Sequence, residues 1–474
     1  MGEQVQELFR AALGLAEPWT VAEAGFSEGE GRLSIRLDFP AGSRFPCPEC
    51  GAARGVYDAS ERKWRHLNFF QHETVLLARL PRVECPEHGV KTAEVPWARG
   101  GAGFTLLMEA YILALVQGGT TPAQAGRLVG EHDTRLWRVV LHYAEKGREA
   151  QDVSGVAAVG IDETSRSRGH NYVTVFMDLN PLDRRVLFAA EGKDAGTVGR
   201  FRADLEARGG DPGQVAEACM DMSAAFAKGV SEQFPGASLT FDNFHLVQLL
   251  TDAVDEVRRA EQRERPELKG TRYVWLKNEW NWTEAQREAF ERLRSSNLGT
   301  VRAMHLKNVF QDIFACSGAA EAEPLLKRWH FWATHSRLAP MAKAAKTIKR
   351  HWDGVLRWFD SRISNGAVEA VNGLIQAAKR RARGFRTETN LIAMICLIAG
   401  KLDFGLTAFG GVAHKKIAGR PFWEGLRHAG TRLARELRAK KADCGDHHGD
   451  RRCDNGDVGR LWSGRSGRRD RELS

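Results

Sequence analysis

The chain has 474 residues, 43% of them hydrophobic and 27% charged, with a formal net charge of +9. This length and balance suit two or three folded domains, each with its own core, and exclude a fibrous or wholly disordered chain. No apolar run reaches the roughly eighteen residues a membrane span needs, and the polar start MGEQVQELFR has no signal core, so a cytoplasmic protein is expected.

Residues 1–98 read as a short helix followed by β-structure. Arg32 to Phe39 (RLSIRLDF) and Thr74 to Leu80 (TVLLARL) alternate apolar and polar side chains with the period of a strand. Within this region Cys47-Pro-Glu-Cys50 and Cys85-Pro-Glu-His88 form two knuckles, and they hold three of the eight cysteines. Two-residue spacing lets each pair chelate one side of a tetrahedral ion, so Cys47, Cys50, Cys85 and His88 are predicted to bind one structural zinc. Four protein ligands leave no open position for catalysis.

Residues 99–150 change to helical periodicity. Phe104 to Gln117 is an apolar helix broken by Gly118 and Gly119. Thr121 stands at an N-cap with Pro122 in the first turn, and that helix runs to about Val129. After Gly130 a third helix covers Thr134 to Tyr143. Helix, tight turn and helix form a helix-turn-helix, whose last helix would present Arg135 and Arg138 to DNA base edges. Helical hairpins are also ordinary packing units.

Residues 151–260 switch to short β-rich segments: GVAAVGID, YVTVFMDL and RVLFAAEG. They are followed by a helix from about 196 to 207, a strand ending near Met220, a helix at Ser223 to Phe234 and a strand at Ala237 to Phe241. A three-strand meander followed by alternating helix and strand is the order of an RNase H-like domain. Residues 261–360 are helical and rich in tryptophan, and read as an all-helical insertion. Residues 361–410 complete the catalytic domain with a helix from about Gly366, a basic turn and the apolar helix LIAMICLIAGKL. Residues 411–474 read as a basic, partly disordered tail. Its stretch CGDHHGDRRC (Cys444 to Cys453) mixes metal-ligand types at a spacing that fits no metal motif.

Asp162 ends the apolar run Val156 to Ile161 and is predicted at the C-terminal end of a central strand. Asp221 ends VAEACM in the same way, and Asp242 ends the next strand, in FDNFH. Neighbouring strands lie about 4.8 Å apart, so two such carboxylates can share an ion. Glu369 falls in the first turns of a helix capped by Ser364 or Asn365. Asp162, Asp221 and Glu369 are therefore the candidate catalytic residues, suited as an all-oxygen set to Mg²⁺ or Mn²⁺. One aspartate at a strand end is ordinarily a cap or turn residue, and Glu163 and Asp242 compete for the same role. Lys379, Arg380, Arg381, Arg383 and Arg386 follow the Glu369 helix and are placed to neutralise DNA phosphates.

The motifs GIDE at Gly160, MDMSAAF at Met220, TFDNFHLVQ at Thr240 and SNGAVEAVNGLIQAAKRRARGF at Ser364 resemble a known family, the DDE transposases of bacterial insertion sequences of the ISL-three type. The resemblance runs from about residue 30 to 405 in the family's domain order. It implies a transposase that binds the terminal inverted repeats of its element, cuts and transfers double-stranded DNA with two divalent ions, and works as a dimer or larger assembly, nucleoid-associated when bound. It favours Asp221 over Asp242 as the second ligand, makes His245 a near-site residue, and departs from the family where His88 replaces a cysteine. The competing readings are a catalytically inactive, sequence-specific DNA-binding protein and a general RNase H-like nuclease.

Overall fold

The computed structural model describes residues 2–167, 169 and 171–406. The basic tail, with its CGDHHGDRRC stretch, lies outside them. The chain begins with helix α1 (Gly2–Ala12), then strands β1 (Thr20–Ser27), β2 (Arg32–Asp38), β3 (Arg44–Pro46), β4 (Ala53–Phe69), β5 (His72–Cys85) and β6 (Gly89–Thr92). They form one sheet in the order β1-β2-β5-β4-β3, with β6 on β5. The short stretch anticipated around Thr74 is part of a long antiparallel hairpin, β4 with β5. Its alternating inner positions reach a separate core that includes Trp19, Leu37, Trp64, Leu76 and Trp97.

Three helices follow, α2 (Leu106–Gln117), α3 (Pro122–Val129) and α4 (Asp133–Glu149). The anticipated cap of α3 is present as a reciprocal capping box between Thr121 and Gln124, and Gly130 closes the helix at a φ of 73°. The last helix extends six residues past Tyr143, to Glu149. It does so because Ala144 and Gly147, beyond the anticipated end, are buried. Gly147 lies against Leu402, which an added Cβ would meet at 2.8 Å.

The second sheet comprises β7 (Ala158–Ser167), β8 (Asn171–Asp178), β9 (Arg185–Glu191), β10 (Glu217–Met220) and β11 (Ser238–Phe241), with α5 (Ala195–Ala207) and α6 (Ala224–Gln233) between the later strands. The order is β11-β10-β7-β8-β9. β7, β10 and β11 are parallel, whereas β7, β8 and β9 form the antiparallel meander. Alternation along each strand assigns its two faces. Val159, Ile161, Phe176, Met220 and Phe241 pack with α5 and α6. Val173, Val175, Met177 and Cys219 face two later helices, α14 (Gly366–Ala382) and α15 (Glu388–Ala399).

Between β11 and α14 come α7 (Asn243–Glu261), α8 (Arg272–Leu276), α9 (Glu284–Leu293), α10 (Gly299–Ile313), α11 (Ala319–His335), α12 (Ala339–Arg350) and α13 (Trp352–Ser361), around a core of their own that buries Trp275 and Trp329. The segment leaves the sheet through α7 and returns along its edge. There Gly354 of α13 sits so close to Phe241 that a Cβ would meet the ring at 2.3 Å. α15 is apolar on all sides because it is covered twice: Leu391 and Ile395 face the sheet, whereas Ala393, Met394 and Leu397 face the α2–α4 helices. No helix among the described residues is long and apolar enough to cross a membrane.

Candidate metal centres

Asp162 does not end its strand, as the sequence suggested, but sits in the middle of β7. The strand outruns the apolar stretch because Asp162, Glu163 and Thr164 continue the antiparallel pairing with β8. The parallel pairing with β10 does stop at Gly160, opposite Cys219. Two positions further along each strand lie Asp162 and Asp221. On the other side of β10, Met220 pairs with Phe241, which brings Asp242 level with Asp221. Three aspartates therefore stand side by side across three parallel strands. By alternation they project on the Cys219 face, toward α14, rather than on the face packed by α5 and α6. Glu163 lies on the opposite side of β7 and pairs with Lys193 at 3.7 Å.

The apolar side chains Val368, Val371 and Ile375 seat α14 on this face, at i, i+3 and i+7, each contributing about 1.5–3 kcal/mol by burial. A polar seam runs beside them. The Asn365 amide donates to the Ile161 carbonyl at 3.0 Å, Asn372 to Asp162 Oδ2 at 2.8 Å, and Gln376 to Thr164 Oγ1 at 2.7 Å, while Lys379 reaches the Ser165 carbonyl. Glu369 lies on the same stripe. Asn365 thus occupies the N-cap position anticipated for it, but its side chain makes no capping bond and pins the helix to β7 instead. Such close seating needs Gly160, where an added Cβ would meet Val368 at 2.6 Å and Leu179 at 2.9 Å. Gly160→Ala is expected to cost about 1–3 kcal/mol in urea denaturation and to depress activity by displacing α14.

Burial pushes the Asp162 carboxyl up, against the opposing Glu163 N–H and the His245 charge. Burial also raises Glu369, assisted by the neighbouring Asp242 charge, whereas Asp242 raises His245. Among the described residues, five buried side-chain oxygens lack a hydrogen-bond partner. Four of them are here: Asp242 Oδ2, Asn365 Oδ1, Glu369 Oε1 and Asn372 Oδ1. Leaving such groups unmet costs about 1–3 kcal/mol each. Among the described residues, Asp242, His245 and Glu369 each offer a ligand atom within 4.8 Å of the other two, a group that includes neither Asp162 nor Asp221, and oxygen-rich donors of this kind fit a divalent cation.

The second cluster lies in the first sheet. Cys47 and Cys50 occupy the turn between β3 and β4, Cys85 ends β5, and His88 follows it. Cys50 Sγ lies 3.7 Å from Cys85 Sγ, and His88 Nδ1 lies 3.5 Å and 3.9 Å from the Cys85 and Cys47 sulfurs. Ligands at about 2.3 Å (sulfur) and 2.0–2.1 Å (nitrogen) from a tetrahedral zinc have edges of roughly 3.6–3.8 Å, so the four atoms match one ion. Gly51 and Gly89, each just after a knuckle, have φ of 72° and 67°. The sequence signal for both turns is the Gly that follows the last ligand in CPEC and in CPEH.

Comparison with known proteins agrees with this layout. Residues 159–395 match the DDE transposase profile of the ISL3 family, described as "Transposase". The chain belongs to the ISL3 family of transposases. Residues 43–88 of this transposase match the zinc-finger of transposases IS204/IS1001/IS1096/IS1165, and residues 93–144 match the helix-turn-helix domain of the ISL3 transposases. It is 31% identical to the transposase for insertion sequence element IS1557 of Mycobacterium tuberculosis, over 82% of this chain and 94% of that protein. It is 25% identical to the transposase for IS1001 of Bordetella parapertussis, over 80% and 94% respectively.

The basic residues of the transposase divide into two groups. Arg135 is engaged internally: it donates to Glu131 at 2.5 Å and to the Gly103 carbonyl at 3.3 Å, and lies 4.3 Å over the Phe104 ring. Arg138 is exposed. After Glu369, Lys379 is tied to Ser165, and Arg381 reaches the Gly119 carbonyl in the α2–α3 turn. Arg380, Arg383 and Arg386 are exposed around a helix end that Arg383 closes at a φ of 55°.

Proposed function

We propose that this transposase binds the terminal inverted repeats of its element through the zinc ribbon and helix-turn-helix, and cuts and transfers DNA strands at a centre formed by Asp162, Asp221 and Glu369. What supports this most is the register that sets Asp162 beside Asp221, under the helix that carries Glu369. The sheet order β11-β10-β7-β8-β9 supports the reading of an RNase H-like domain. In this reading the ribbon lies within 1–98, the helix-turn-helix within 99–150, and the catalytic domain is 151–260 plus 361–410, interrupted by a helical insertion at 261–360.

Mg²⁺ or Mn²⁺ held there would activate a water or 3′-hydroxyl and stabilise the leaving oxygen. The protein's part is to orient the ligands. Asp162 Oδ1 accepts the Glu163 N–H at 2.8 Å while Asn372 holds Oδ2, so the carboxylate cannot rotate freely. Asp221 Oδ1 accepts the Ser223 N–H at 3.0 Å, which fixes it at the start of α6. Lys379, Arg380 and Arg381 lie in the last turn of α14, at the other end of the helix from Glu369, with Arg383 and Arg386 just after it, and these residues would hold the flanking phosphates. Strand transfer exchanges one phosphodiester for another and needs no nucleotide. Two element ends require at least two copies of the chain at work. Nothing in the site favours a catalytically dead DNA-binding protein.

A duplex bearing the element's own end should be cut in Mg²⁺ or Mn²⁺ and left intact in EDTA. Equal cutting of unrelated duplex would instead favour a general nuclease. Arg138→Ala should weaken end binding by about 1–3 kcal/mol with an unchanged melting temperature. Arg135→Ala, by contrast, should lower stability by about 1 kcal/mol through its lost pairing with Glu131 and Phe104. Gel-shift and thermal melting of the two variants check both.

A further inference from the structure

We propose that Arg65 sets the zinc ribbon and the helix-turn-helix at one fixed geometry, so that the terminal repeat is recognised as two sequence blocks at a single spacing. The proposal rests on the binding of that repeat by both modules, as read above, and makes Arg65 a positioning residue for it. Arg65 lies toward the tip of the β4–β5 hairpin, is 6% exposed and divides its donors between the two modules. Within the hairpin, Nη1 donates to the carbonyls of His66 and Thr74, and Nη2 to the Asn68 amide oxygen. Toward the helices, Nη2 donates at 3.1 Å to the carbonyl of Val129, the last residue of α3. Nε lies 3.8 Å from Glu73 of β5 and 3.6 Å from Glu131 in the α3–α4 turn. Glu131 in turn accepts from Arg135 at 2.5 Å, so the relay ends on α4, the helix that would lie on DNA.

The backbone around Arg65 makes the same junction. Its N–H donates to the Gly103 carbonyl at 2.9 Å, and its own carbonyl accepts the Thr105 N–H at 3.0 Å. His66 Nδ1 lies 2.9 Å from the hydroxyl of Thr105, the N-cap of α2, and Leu67 packs into the core of the α2–α4 helices. These contacts tie the hairpin to the start of α2, and the Arg65 side chain carries the connection on to the α3–α4 turn. A buried guanidinium is costly to desolvate and is held by directional bonds. An apolar side chain would join the modules as firmly without fixing their angle. On DNA, two added base pairs move one block by roughly 7 Å and 70° relative to the other. A head locked at one geometry cannot follow that displacement.

The test uses the zinc-loaded full chain and a duplex bearing the element's own end. Two base pairs are inserted between the blocks that footprinting assigns to the ribbon and to the helix-turn-helix. Wild type should bind the native duplex about tenfold or more tightly than the inserted one. In Arg65→Met that ratio should fall to about threefold or less, whereas a mere loss of stability would weaken both duplexes alike. Glu131 keeps Arg135 in this variant, so its buried charge stays paired. Glu131→Gln breaks the same relay from outside the ribbon. Its ratio should also fall, and it replaces Arg65→Met in the test if that chain loses zinc or does not fold. Equal affinity of wild type for the two duplexes, with both blocks protected, would overturn the proposal. So would a wild-type ratio in folded Arg65→Met or, in its place, in Glu131→Gln. A wild-type footprint that lacks either block would overturn the reading of the two modules as joint readers of the repeat, and the proposal with it.

Discussion

Asp162→Asn, Asp221→Asn and Glu369→Gln are each expected to lower Mg²⁺-dependent cleavage at the element's ends by about 10²–10³-fold or more, equivalent to roughly 2.7–4 kcal/mol of lost transition-state stabilisation. Each change removes a charge and keeps the shape. Glu369 Oε1 has no partner in the fold, so an amide there breaks no bond. At position 162 an amide oxygen can still accept the Glu163 N–H. The Asn372 amide can turn over so that its otherwise unpartnered oxygen accepts from the new NH₂. Circular dichroism and end binding should therefore stay as in wild type while cleavage disappears. A variant that still cuts at the wild-type rate removes its residue from the centre.

Zinc removal should have an equally large effect in a different place. Binding of a structural zinc is worth about 10–16 kcal/mol in small zinc-finger peptides. Here Cys47 and Cys85 are buried in the same core as Phe45 and Val83. Chelation, or Cys85→Ser, is expected to open the two knuckles and the short strands that flank them, β3 and β6. The β4–β5 hairpin keeps Trp64 and Leu76 in its core and should survive in part. Amide exchange should rise sharply across the zinc segment, residues 43–52 and 85–92, and binding to the terminal repeat should fall at least tenfold, while the second sheet keeps its protection. Unchanged exchange in that segment after full zinc loss would show that the ribbon folds without metal. His88→Cys should retain the zinc, since either ligand meets the same edge lengths.

Much of this arrangement could be read from residues close together in the chain. The zinc knuckles, the Thr121–Pro122 helix start, the Gly130 stop and the meander of three strands are local patterns, and each has its counterpart in the fold. The family resemblance is matched by the family profiles and relatives. What stayed hidden depends on pairing between distant segments. The level alignment of Asp162, Asp221 and Asp242 is a matter of parallel register, which no single strand encodes. Asp162 looked like a strand end because the apolar run stops there, yet β7 continues by pairing with β8 through polar residues. The seam of Asn365, Asn372 and Gln376 was also legible in principle, since with Glu369 it follows i, i+4, i+7 and i+11. Polar residues at helical spacing normally mark a solvated face, however, and only Gly160 on another strand lets this one approach the sheet. Arg135 reads as a DNA contact in sequence, and its partners Glu131 and Phe104 become visible only in the fold.

Iron-directed backbone cleavage tests the convergence of the acidic side chains most directly. Fe²⁺ with ascorbate, substituted for Mg²⁺ in the zinc-loaded transposase, generates hydroxyl radicals that cut the chain only near the bound ion. Cuts are expected near residues 162, 221, 242–245 and 369 together, suppressed by excess Mg²⁺ and lost in a chain carrying both Asp162→Asn and Glu369→Gln. Cuts confined to one of these segments, or scattered over the surface and insensitive to Mg²⁺, would contradict a shared metal centre.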